Sequence, residues 1–252
     1  MKFSIVMSTL NGAETLRAAL ASIFGQTYPK WEIIVQDGGS TDGTLAILEE
    51  YGKILNWRSE PDTGVYDAWN KALPRITGDW ALFLGADDLL LHKHVFAQCA
   101  RHLTACPERI QFAYGALLQE QKDAEGKNIA YNRSLRNVYY QFLQDMGLTF
   151  TSTFVRTSLF RDHSFDPAFK ISGDYDFCAR LVTDSNVARL PVWVSYMRRG
   201  GLSSSPDSFE TLLREREKVL RTRIVPRAAD FVLAMTDRIR DFDVSLEDIP
   251  AD

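Results

Sequence analysis

The sequence has few cysteines and histidines, no long apolar run and no large excess of one charge sign. Its three cysteines lack C-x-x-C spacing, which argues against a disulfide framework or a zinc knuckle. No run of about 18 apolar residues predicts a membrane span, and the apolar start is too short for a signal peptide. The net charge of −4 gives no overall positive field for nucleic acid. We therefore expect a cytoplasmic protein that does not bind nucleic acid.

The 252 residues, 45% of them apolar, are sufficient for one large domain with a full core. Short apolar strands alternate with helical patterns through the first half, which predicts a parallel sheet. The first helical pattern has Leu16, Leu20 and Ile23 on one face, and Asn11 with Glu14 predicts a capping box at its start. A further helix is predicted over 136–146. The predicted strands are 3–7, 31–35, 54–59, 80–84, 111–118, 149–155 and 187–197.

The loops after the first four predicted strands contain polar residues. Because the carboxyl ends of parallel strands meet at one edge of a sheet, we expect these residues to share a rim. They are Asn11, Asp37, Asp62 and the pair Asp87 and Asp88.

The adjacent carboxylates of Asp87 and Asp88 predict a bound cation. Two unit charges about 4 Å apart repel by roughly 4 kcal/mol at an effective dielectric constant of 20. Hard oxygen donors at a rim suit Mg²⁺ or Mn²⁺, which commonly takes one or two carboxylates together with substrate phosphates. Two simpler interpretations stay open. The pair could cap the helix that follows, and Asp37 could belong to a turn before a helix.

Five segments, in this order along about the first 180 residues, resemble the family 2 inverting glycosyltransferases with the GT-A fold. The similarity is closest to members that build bacterial surface glycans such as O-antigen and exopolysaccharide. The segments are VMSTLNG at 6–12, IIVQDGGSTDGT at 33–44, EPDTGVYDAWNKA at 60–72, GDWALFLGADD at 78–88 and SGDYDF at 172–177.

The resemblance implies an α/β fold of GT-A type, a mostly parallel twisted sheet flanked by helices. The transferase domain would span 1–205, with a donor-binding half at 1–118 and an acceptor-side half at 119–205. A C-terminal helical extension would follow at 206–252. The implied activity is metal-dependent, inverting transfer of a sugar from a nucleotide-sugar, a UDP-sugar, to a hydroxyl of a glycan or lipid-linked acceptor.

The resemblance also implies roles for individual residues. Asp88 would bind Mn²⁺ or Mg²⁺, and Asp174 would be the catalytic base unless it only caps its helix. Gly85 and Gly173 stand where the family often has an acid, so one acid is missing from each motif. The residues implied in nucleotide-sugar binding are Thr9, Asn11, Glu14, Asp37, Asp62, Lys71 and Asp87.

Several features allow two interpretations. Lys71 lies four residues after Asp67, so an ion pair within the helix accounts for it as well as a donor contact does. Arg198 and Arg199 precede a glycine-rich loop that could cover the diphosphate, and they could equally end a solvated strand. The basic stretch 214–227 either packs on the domain or makes peripheral contact with the inner face of an anionic membrane. Plausible acceptor contacts are Arg133, Tyr139, Tyr140 and Thr151.

Two other classes of protein also fit parts of the pattern. A phosphoacceptor receiver domain has clustered aspartates at strand ends, but it is about half this length. A catalytically silent nucleotide-sugar-binding module would keep the pocket, and Gly85 and Gly173 are the features that favour it.

Overall fold

The computed structural model describes residues 1–122, 128–129, 148–183, 185–198, 201 and 208–227. The predicted helix at 136–146 lies outside the described residues, as do Arg133, Tyr139, Tyr140 and Arg199. Within the described ranges, no helix has the length and apolar character needed to cross a membrane.

The described residues alternate strands and helices through the first half, as predicted. The strands are β1 (Phe3–Thr9), β2 (Trp31–Asp37), β3 (Asn56–Ser59), β4 (Trp80–Phe83), β5 (Leu89–Leu90), β6 (Phe112–Gln119), β7 (Gln121–Lys122), β8 (Asn128–Ile129), β9 (Thr153–Arg156) and β10 (Val187–Met197). The helices are α1 (Ala13–Phe24), α2 (Thr44–Tyr51), α3 (Val65–Ala72), α4 (Val95–Leu103), α5 (Gly173–Leu181) and α6 (Phe209–Val219), which continues as a π-helical turn over Leu220–Ile224.

The main sheet has the strand order β3-β2-β1-β4-β9-β6-β10-β5. Strand β1 is parallel to β2 and β4, and β2 is parallel to β3. Thr9 pairs with Asp37, and Asp37 pairs with Ser59, so the ends of β1, β2 and β3 are in register. The predicted common rim is therefore confirmed. Strand β9 runs antiparallel to β4 and β6, which makes the sheet mixed.

Helices cover both faces of this sheet, and each face has its own apolar core. Phe3, Ile5 and Met7 of β1 point into one core, and Val6 points into the other. This alternation follows from the two-residue period of a strand. The predicted apolar face of α1 is confirmed, because Leu16, Ala19, Leu20 and Ile23 are buried in the first core.

The predicted capping box of Asn11 and Glu14 is wrong. Helix α1 begins after Gly12 without a side-chain cap, and Glu14 is exposed. The loop after β2 and the start of α2 supply the acceptors instead: the Ala13 N–H donates to Asp42 Oδ2 (3.1 Å) and the Gly12 N–H to Thr44 Oγ1 (2.9 Å). Because a neighbouring loop satisfies these N–H groups, no local cap is needed.

Two predicted strands begin later than the apolar pattern indicates. The strand predicted at 54–59 begins at Asn56, because Gly52–Ile54 form a 3₁₀ turn. The strand predicted at 149–155 begins at Thr153, after a second 3₁₀ turn over Phe150–Ser152. In that turn the Thr149 carbonyl accepts hydrogen bonds from the Ser152 N–H and the Thr153 hydroxyl.

The described part of the basic C-terminal stretch packs on the domain, the first of its two interpretations. Arg223 Nε donates to Asp176 Oδ1 (2.9 Å), and Arg227 Nη1 donates to the Ala179 carbonyl (2.6 Å), so both arginines contact α5. Val219 and Ile224 are buried in the second core. The division at residue 205 stays a prediction, but the helix that follows it is joined to α5 by charged and apolar contacts.

Candidate active site

The loop after β2 is organised around the buried carboxylate of Asp37. Its Oδ2 accepts hydrogen bonds from the N–H groups of Gly39 (3.0 Å) and Ser40 (2.9 Å) and from the Ser59 hydroxyl (2.6 Å). The Ser40 hydroxyl donates to Oδ1. Asp37 therefore fixes the shape of the rim, as expected for a residue in a turn, and its contact with a nucleotide base stays a prediction.

Asp62 follows β3 and lies against the same loop. Its Oδ1 accepts a hydrogen bond from the Gly64 N–H (2.9 Å), and its Oδ2 lies 2.6 Å from the position that a Cβ on Gly38 would occupy. Burial is the main reason why the pKa of Asp62 is raised. Gly64, with φ of 136°, has a backbone conformation that favours glycine, and it leads directly into α3.

Asp88, which follows β4, is buried with one carboxylate oxygen left without a hydrogen-bond partner. That oxygen is Oδ1, and none of the described residues donates a hydrogen bond to it. Burial, and then the charge of Asp87, raise the pKa of Asp88 to about 7. The backbone N–H of Arg198, just after β10, donates to the Asp88 carboxylate and opposes this rise.

The acidic pair does not cap the next helix, so that interpretation is wrong. The residues after Asp88 form β5, and α4 begins only at Val95, with His94 as its N-cap residue. The two carboxylates instead fold back over Gly85. A Cβ on Gly85 would lie 2.6 Å from Asp87 Oδ1 and 2.8 Å from Asp88 Oδ2. Glycine at this position therefore makes room for both acids.

The donor atoms at this pair fit a hard divalent cation. Within the described ranges, no group of three or more His, Cys, Asp or Glu residues could hold a metal by itself. The unpartnered Oδ1 of Asp88 and the neighbouring Asp87 carboxylate are, however, the oxygen donors that Mg²⁺ and Mn²⁺ prefer when substrate phosphates complete the coordination. Asp88 thus fits a metal shared with a bound diphosphate.

Asp174 lies in the first turn of α5 and is partly buried. The N-cap residue of α5 is Ser172, without a side-chain cap, so the capping interpretation of Asp174 is wrong. Asp174 Oδ1 accepts a hydrogen bond from the Tyr175 N–H (2.9 Å) and lies 3.0 Å from the Tyr66 hydroxyl oxygen. Burial raises the pKa of Asp174 to about 6, although Tyr66 and the charge of Arg216 oppose the rise. A carboxyl group with this pKa can accept a proton near neutral pH.

Backbone contacts connect the strand ends with one another. The Gly38 N–H donates to the Thr9 carbonyl (2.9 Å), which joins the ends of β1 and β2. A Cβ on Gly12 would lie 3.6 Å from the Cβ of Ala86, which joins α1 to the loop that holds the acidic pair. The structure thus brings Thr9, Asp37, Asp62 and the acidic pair to one edge of the sheet.

Helix α3 connects Asp174 to this edge. Asp62 lies two residues before the Gly64 that precedes α3, and Tyr66 in the first turn of α3 reaches Asp174. Lys170 Nζ, in the loop before α5, donates to the Thr63 carbonyl (2.7 Å). The entry to α5 is therefore fastened to the loop after β3.

Lys71, predicted to bind the donor, contacts protein groups in this structure. Lys71 Nζ lies 3.4 Å from Asp67 Oδ2, which confirms the ion pair, and it also donates to the Pro61 carbonyl (2.6 Å).

The Asn11 side-chain oxygen accepts a hydrogen bond from the Thr41 N–H (2.9 Å). The Oγ1 atoms of Thr9 and Thr151 are buried and have no hydrogen-bond partner in the described part of the chain. Their contacts with substrate stay predictions.

Tyr66 and Glu215 contact the entry to α5, but the sequence did not predict them as site residues. Tyr66 lies in a quoted motif, but nothing local predicts that it reaches residues more than 100 positions away. Glu215 of α6 accepts hydrogen bonds from the N–H groups of three consecutive residues. These are Lys170 (2.6 Å), Ile171 (2.9 Å) and Ser172 (2.8 Å). A glutamate on a polar helix gives no signal for such a contact.

The fold is that of a glycosyltransferase with the GT-A fold. The family model described as Glycosyl transferase family 2 matches residues 4–162, and the chain belongs to this family. Because the chain belongs to this family, the receiver-domain alternative is wrong. Asp174 and Glu215 both lie beyond the matched range.

The relatives reported for this chain are named as glycosyltransferases. The chain is 33% identical over 223 residues to a PGL/p-HBAD biosynthesis glycosyltransferase of Mycobacterium bovis, covering 84% of this chain and 83% of the relative. It is 26% identical over 217 residues to the Escherichia coli UDP-Glc:alpha-D-GlcNAc-diphosphoundecaprenol beta-1,3-glucosyltransferase WfgD, again covering 84% and 83%.

Solved structures share the fold at lower identity. S. aureus TarS 1-349 in complex with UDP-GlcNAc has a TM-score of 0.65 and 20% identity, covering 98% of this chain and 77% of that one. In the TarS 1-349 complex with UDP, the match covers 66% of the TarS 1-349 chain. Glucosyl-3-phosphoglycerate synthase from Mycobacterium tuberculosis, solved with Mn²⁺, UDP and phosphoglyceric acid, has a TM-score of 0.63 and 19% identity, covering 89% of this chain and 78% of that one.

Proposed function

We propose that this glycosyltransferase moves a sugar from a UDP-sugar to a hydroxyl group of a glycan or lipid-linked acceptor in surface polysaccharide synthesis, with inversion at the anomeric carbon. The observation that carries the proposal is the buried, unpartnered Oδ1 of Asp88 at the sheet edge that also holds Asp37 and Asp62. The substrate classes are supported by a relative named for PGL/p-HBAD biosynthesis, by one named for glucosyl transfer from UDP-Glc to a diphosphoundecaprenol-linked sugar, and by neighbours solved with UDP or UDP-GlcNAc.

Asp88 would hold a divalent cation at the donor diphosphate, with Asp87 beside it. A bound Mn²⁺ or Mg²⁺ supplies charge stabilisation for the departing diphosphate, worth several kcal/mol. The solved neighbours that contain Mn²⁺ support this choice of metal. The positive charge of Arg198, which lowers the pKa of Asp88, would also favour an anionic donor at this end of β10.

The nucleotide would lie along the ends of β1 to β3. Thr9 contributes a buried hydroxyl without a partner in the described ranges, and Asp62 contributes a half-buried carboxylate. Asp37 holds the loop between them and would approach the base through Oδ1, which in the described part of the chain accepts a hydrogen bond from the Ser40 hydroxyl alone. Asn11, Lys71 and the exposed Glu14 complete the proposed donor side.

Asp174 would act as the base. The proton of the acceptor hydroxyl moves to the Asp174 carboxylate while the acceptor oxygen bonds to the anomeric carbon and the bond to the diphosphate breaks. With a pKa of about 6, most Asp174 carboxylates are ionised at neutral pH and can take this proton. The hydrogen bonds from the Tyr66 hydroxyl and the Tyr175 N–H both go to Oδ1, so Oδ2 is the atom proposed to face the acceptor.

The experiment measures donor binding and turnover with the full chain. Calorimetry with Mn²⁺ and UDP-glucose, UDP-N-acetylglucosamine or GDP-mannose tests the donor, and release of UDP tests turnover with and without a saccharide acceptor. Saturable, metal-dependent binding of a UDP-sugar together with transfer is expected, and proton NMR of the product reports the anomeric configuration. Failure to bind any UDP-sugar would contradict the proposal.

The silent binding module stays the alternative. It predicts UDP-sugar binding without UDP release or product, so the same experiment separates it from the transferase. The structure gives Gly85 and Gly173 a packing role, and this reduces the weight of the two glycines as signs of lost activity.

A further inference from the structure

The Tyr66 hydroxyl contacts two acceptors on the segment that enters α5. Its oxygen lies 2.6 Å from the Ile171 carbonyl oxygen and 3.0 Å from Asp174 Oδ1. The phenol group has a single proton, so it can donate to only one of these oxygens at a time. The two contacts are therefore alternatives.

The Tyr66 ring has little freedom to move away from this position. Tyr66 is 3% exposed, and a Cβ on Gly173 would lie 2.7–2.8 Å from three of its ring atoms. The ring also packs edge-on against Trp69 with centroids 5.3 Å apart. Because the ring is fixed by packing, the hydroxyl hydrogen is the part that can turn between the two acceptors.

We propose that Tyr66 is a positioning residue for Asp174, whose hydroxyl donates to the ionised carboxylate and turns to the Ile171 carbonyl when Asp174 takes the acceptor proton. This proposal rests on the proposed function of Asp174 as the base. The transferred proton goes from the acceptor hydroxyl to Asp174 Oδ2, and the phenol proton stays on Tyr66. Burial and the charge of Asp174 raise the pKa of Tyr66 well above its ordinary value, so the phenol keeps its proton near neutral pH.

The other titratable groups around Asp174 have different effects on it. Arg216 of α6 favours the ionised carboxylate through its charge. Cys178, one turn later in α5, is buried with a thiol pKa raised well above its ordinary value, so it stays neutral. Tyr66 is therefore the neutral donor in this group whose hydrogen bond depends on the charge of Asp174.

The decisive variant is Tyr66→Phe, which removes the hydroxyl and keeps the ring against Gly173. Loss of a donor to the ionised carboxylate is expected to raise the pKa of Asp174 by about one unit. The measurement is a carboxyl ¹³C NMR titration of the full chain labelled at aspartate, with the Asp174 signal assigned by its absence in Asp174→Asn. The acidic limb of UDP-sugar turnover should move upward by the same amount, while the KM for the donor stays unchanged.

The matched control is Tyr28→Phe. The Tyr28 hydroxyl also donates to a backbone carbonyl, that of Met1 (2.7 Å), and its ring also packs against a buried aromatic residue, Phe3. This variant should leave the Asp174 titration unchanged. A shift of the same size in both variants would mean a general effect of losing a tyrosine hydroxyl and would overturn the proposal.

A second variant tests the opposite direction. Fluorotyrosine at position 66 is a more acidic phenol and a stronger donor, so the pKa of Asp174 should fall. An unchanged or lower pKa of Asp174 in Tyr66→Phe overturns the proposal, and so does an unchanged or raised pKa with fluorotyrosine. The NMR titration needs no substrate. Absence of UDP-sugar binding would therefore contradict the proposed function separately, while the titration would still test the Tyr66 contact.

Discussion

The ring of Tyr66 occupies the space that a side chain on Gly173 would need. Three ring atoms lie 2.7–2.8 Å from the position of a Cβ on Gly173, closer than real Cβ contacts. The glycine that departs from the family pattern is thus matched by a bulky residue in the first turn of α3. An acidic side chain at position 173 would therefore clash with this ring.

Gly173→Ala should therefore destabilise the protein. Adding a methyl group to a closely packed site typically costs about 1–3 kcal/mol, because the neighbouring ring or backbone must move. Thermal unfolding should show a lower Tm. The matched control is Gly43→Ala, where a Cβ would meet Ala13 at an ordinary 3.5 Å. Equal Tm changes in the two variants would contradict this account of Gly173.

Asp174→Asn should leave UDP affinity nearly unchanged and reduce transfer at least about a hundredfold, because the amide cannot take the acceptor proton. Calorimetry with UDP and Mn²⁺ and a transfer assay make the two measurements. Asp162→Asn, a change at an exposed aspartate, is the control. Transfer at the unmodified rate would exclude Asp174 as the base.

The same variant should change the pH dependence of stability. Because the pKa of Asp174 is raised to about 6 from the ordinary value of 3.8, the folded state holds the proton more tightly than the unfolded chain. This group therefore lowers the free energy of unfolding as the pH rises between these two values. Asp174→Asn should remove that part of the decline, which denaturant titrations across this pH range would detect. An unchanged slope would show that the pKa is not raised.

Metal binding at Asp88 should depend on pH. Burial and Asp87 raise the pKa of Asp88 to about 7, so below this value a proton competes with the metal. Mn²⁺ affinity in the presence of UDP should increase from about pH 6 to about pH 8. Asp88→Asn should abolish the metal response. Because the charge of Asp87 contributes to the rise, Asp87→Asn should move the midpoint to lower pH. An unchanged metal response in Asp88→Asn would exclude it as a ligand.

The sequence predicts the rim well because its causes are local. Each of β1, β2 and β4 is a short apolar strand with polar residues at its end or in the loop that follows, and parallel pairing brings those ends together. Asp37, Asp62 and Asp88 could thus be assigned to one edge without coordinates. The pairing of Lys71 with Asp67 followed in the same way from helical spacing.

The features that were predicted wrongly or not predicted depend on contacts between segments that are distant in the sequence. Asn11 and Glu14 have the spacing of a capping box, but Asp42 and Thr44, about 30 residues away, bind the first N–H groups of α1. The contact of Tyr66 with Asp174 crosses more than 100 residues. No periodicity or local motif carries information about such contacts.

The contact of Glu215 with the entry to α5 gives the C-terminal helix a part in the site. One carboxylate accepts three hydrogen bonds from consecutive N–H groups, those of residues 170–172, immediately before the α5 turn that holds Asp174. Hydrogen bonds to a charged group contribute about 1.5–3 kcal/mol each, so the entry to α5 depends on this side chain. Helix α6 therefore fixes the position from which Asp174 would act.

Glu215→Ala should reduce transfer more than UDP binding, because it loosens the support of Asp174 and leaves the rim at β1 to β4 intact. Glu217→Ala, in the same helix, is the matched control, since Glu217 makes an exposed pair with Arg221. Exposed pairs of this kind contribute about 0–1 kcal/mol, so this control should have nearly unmodified kcat and Tm. If Glu215→Ala and Glu217→Ala had the same kcat, the helix would serve the stability of the domain and not the position of Asp174.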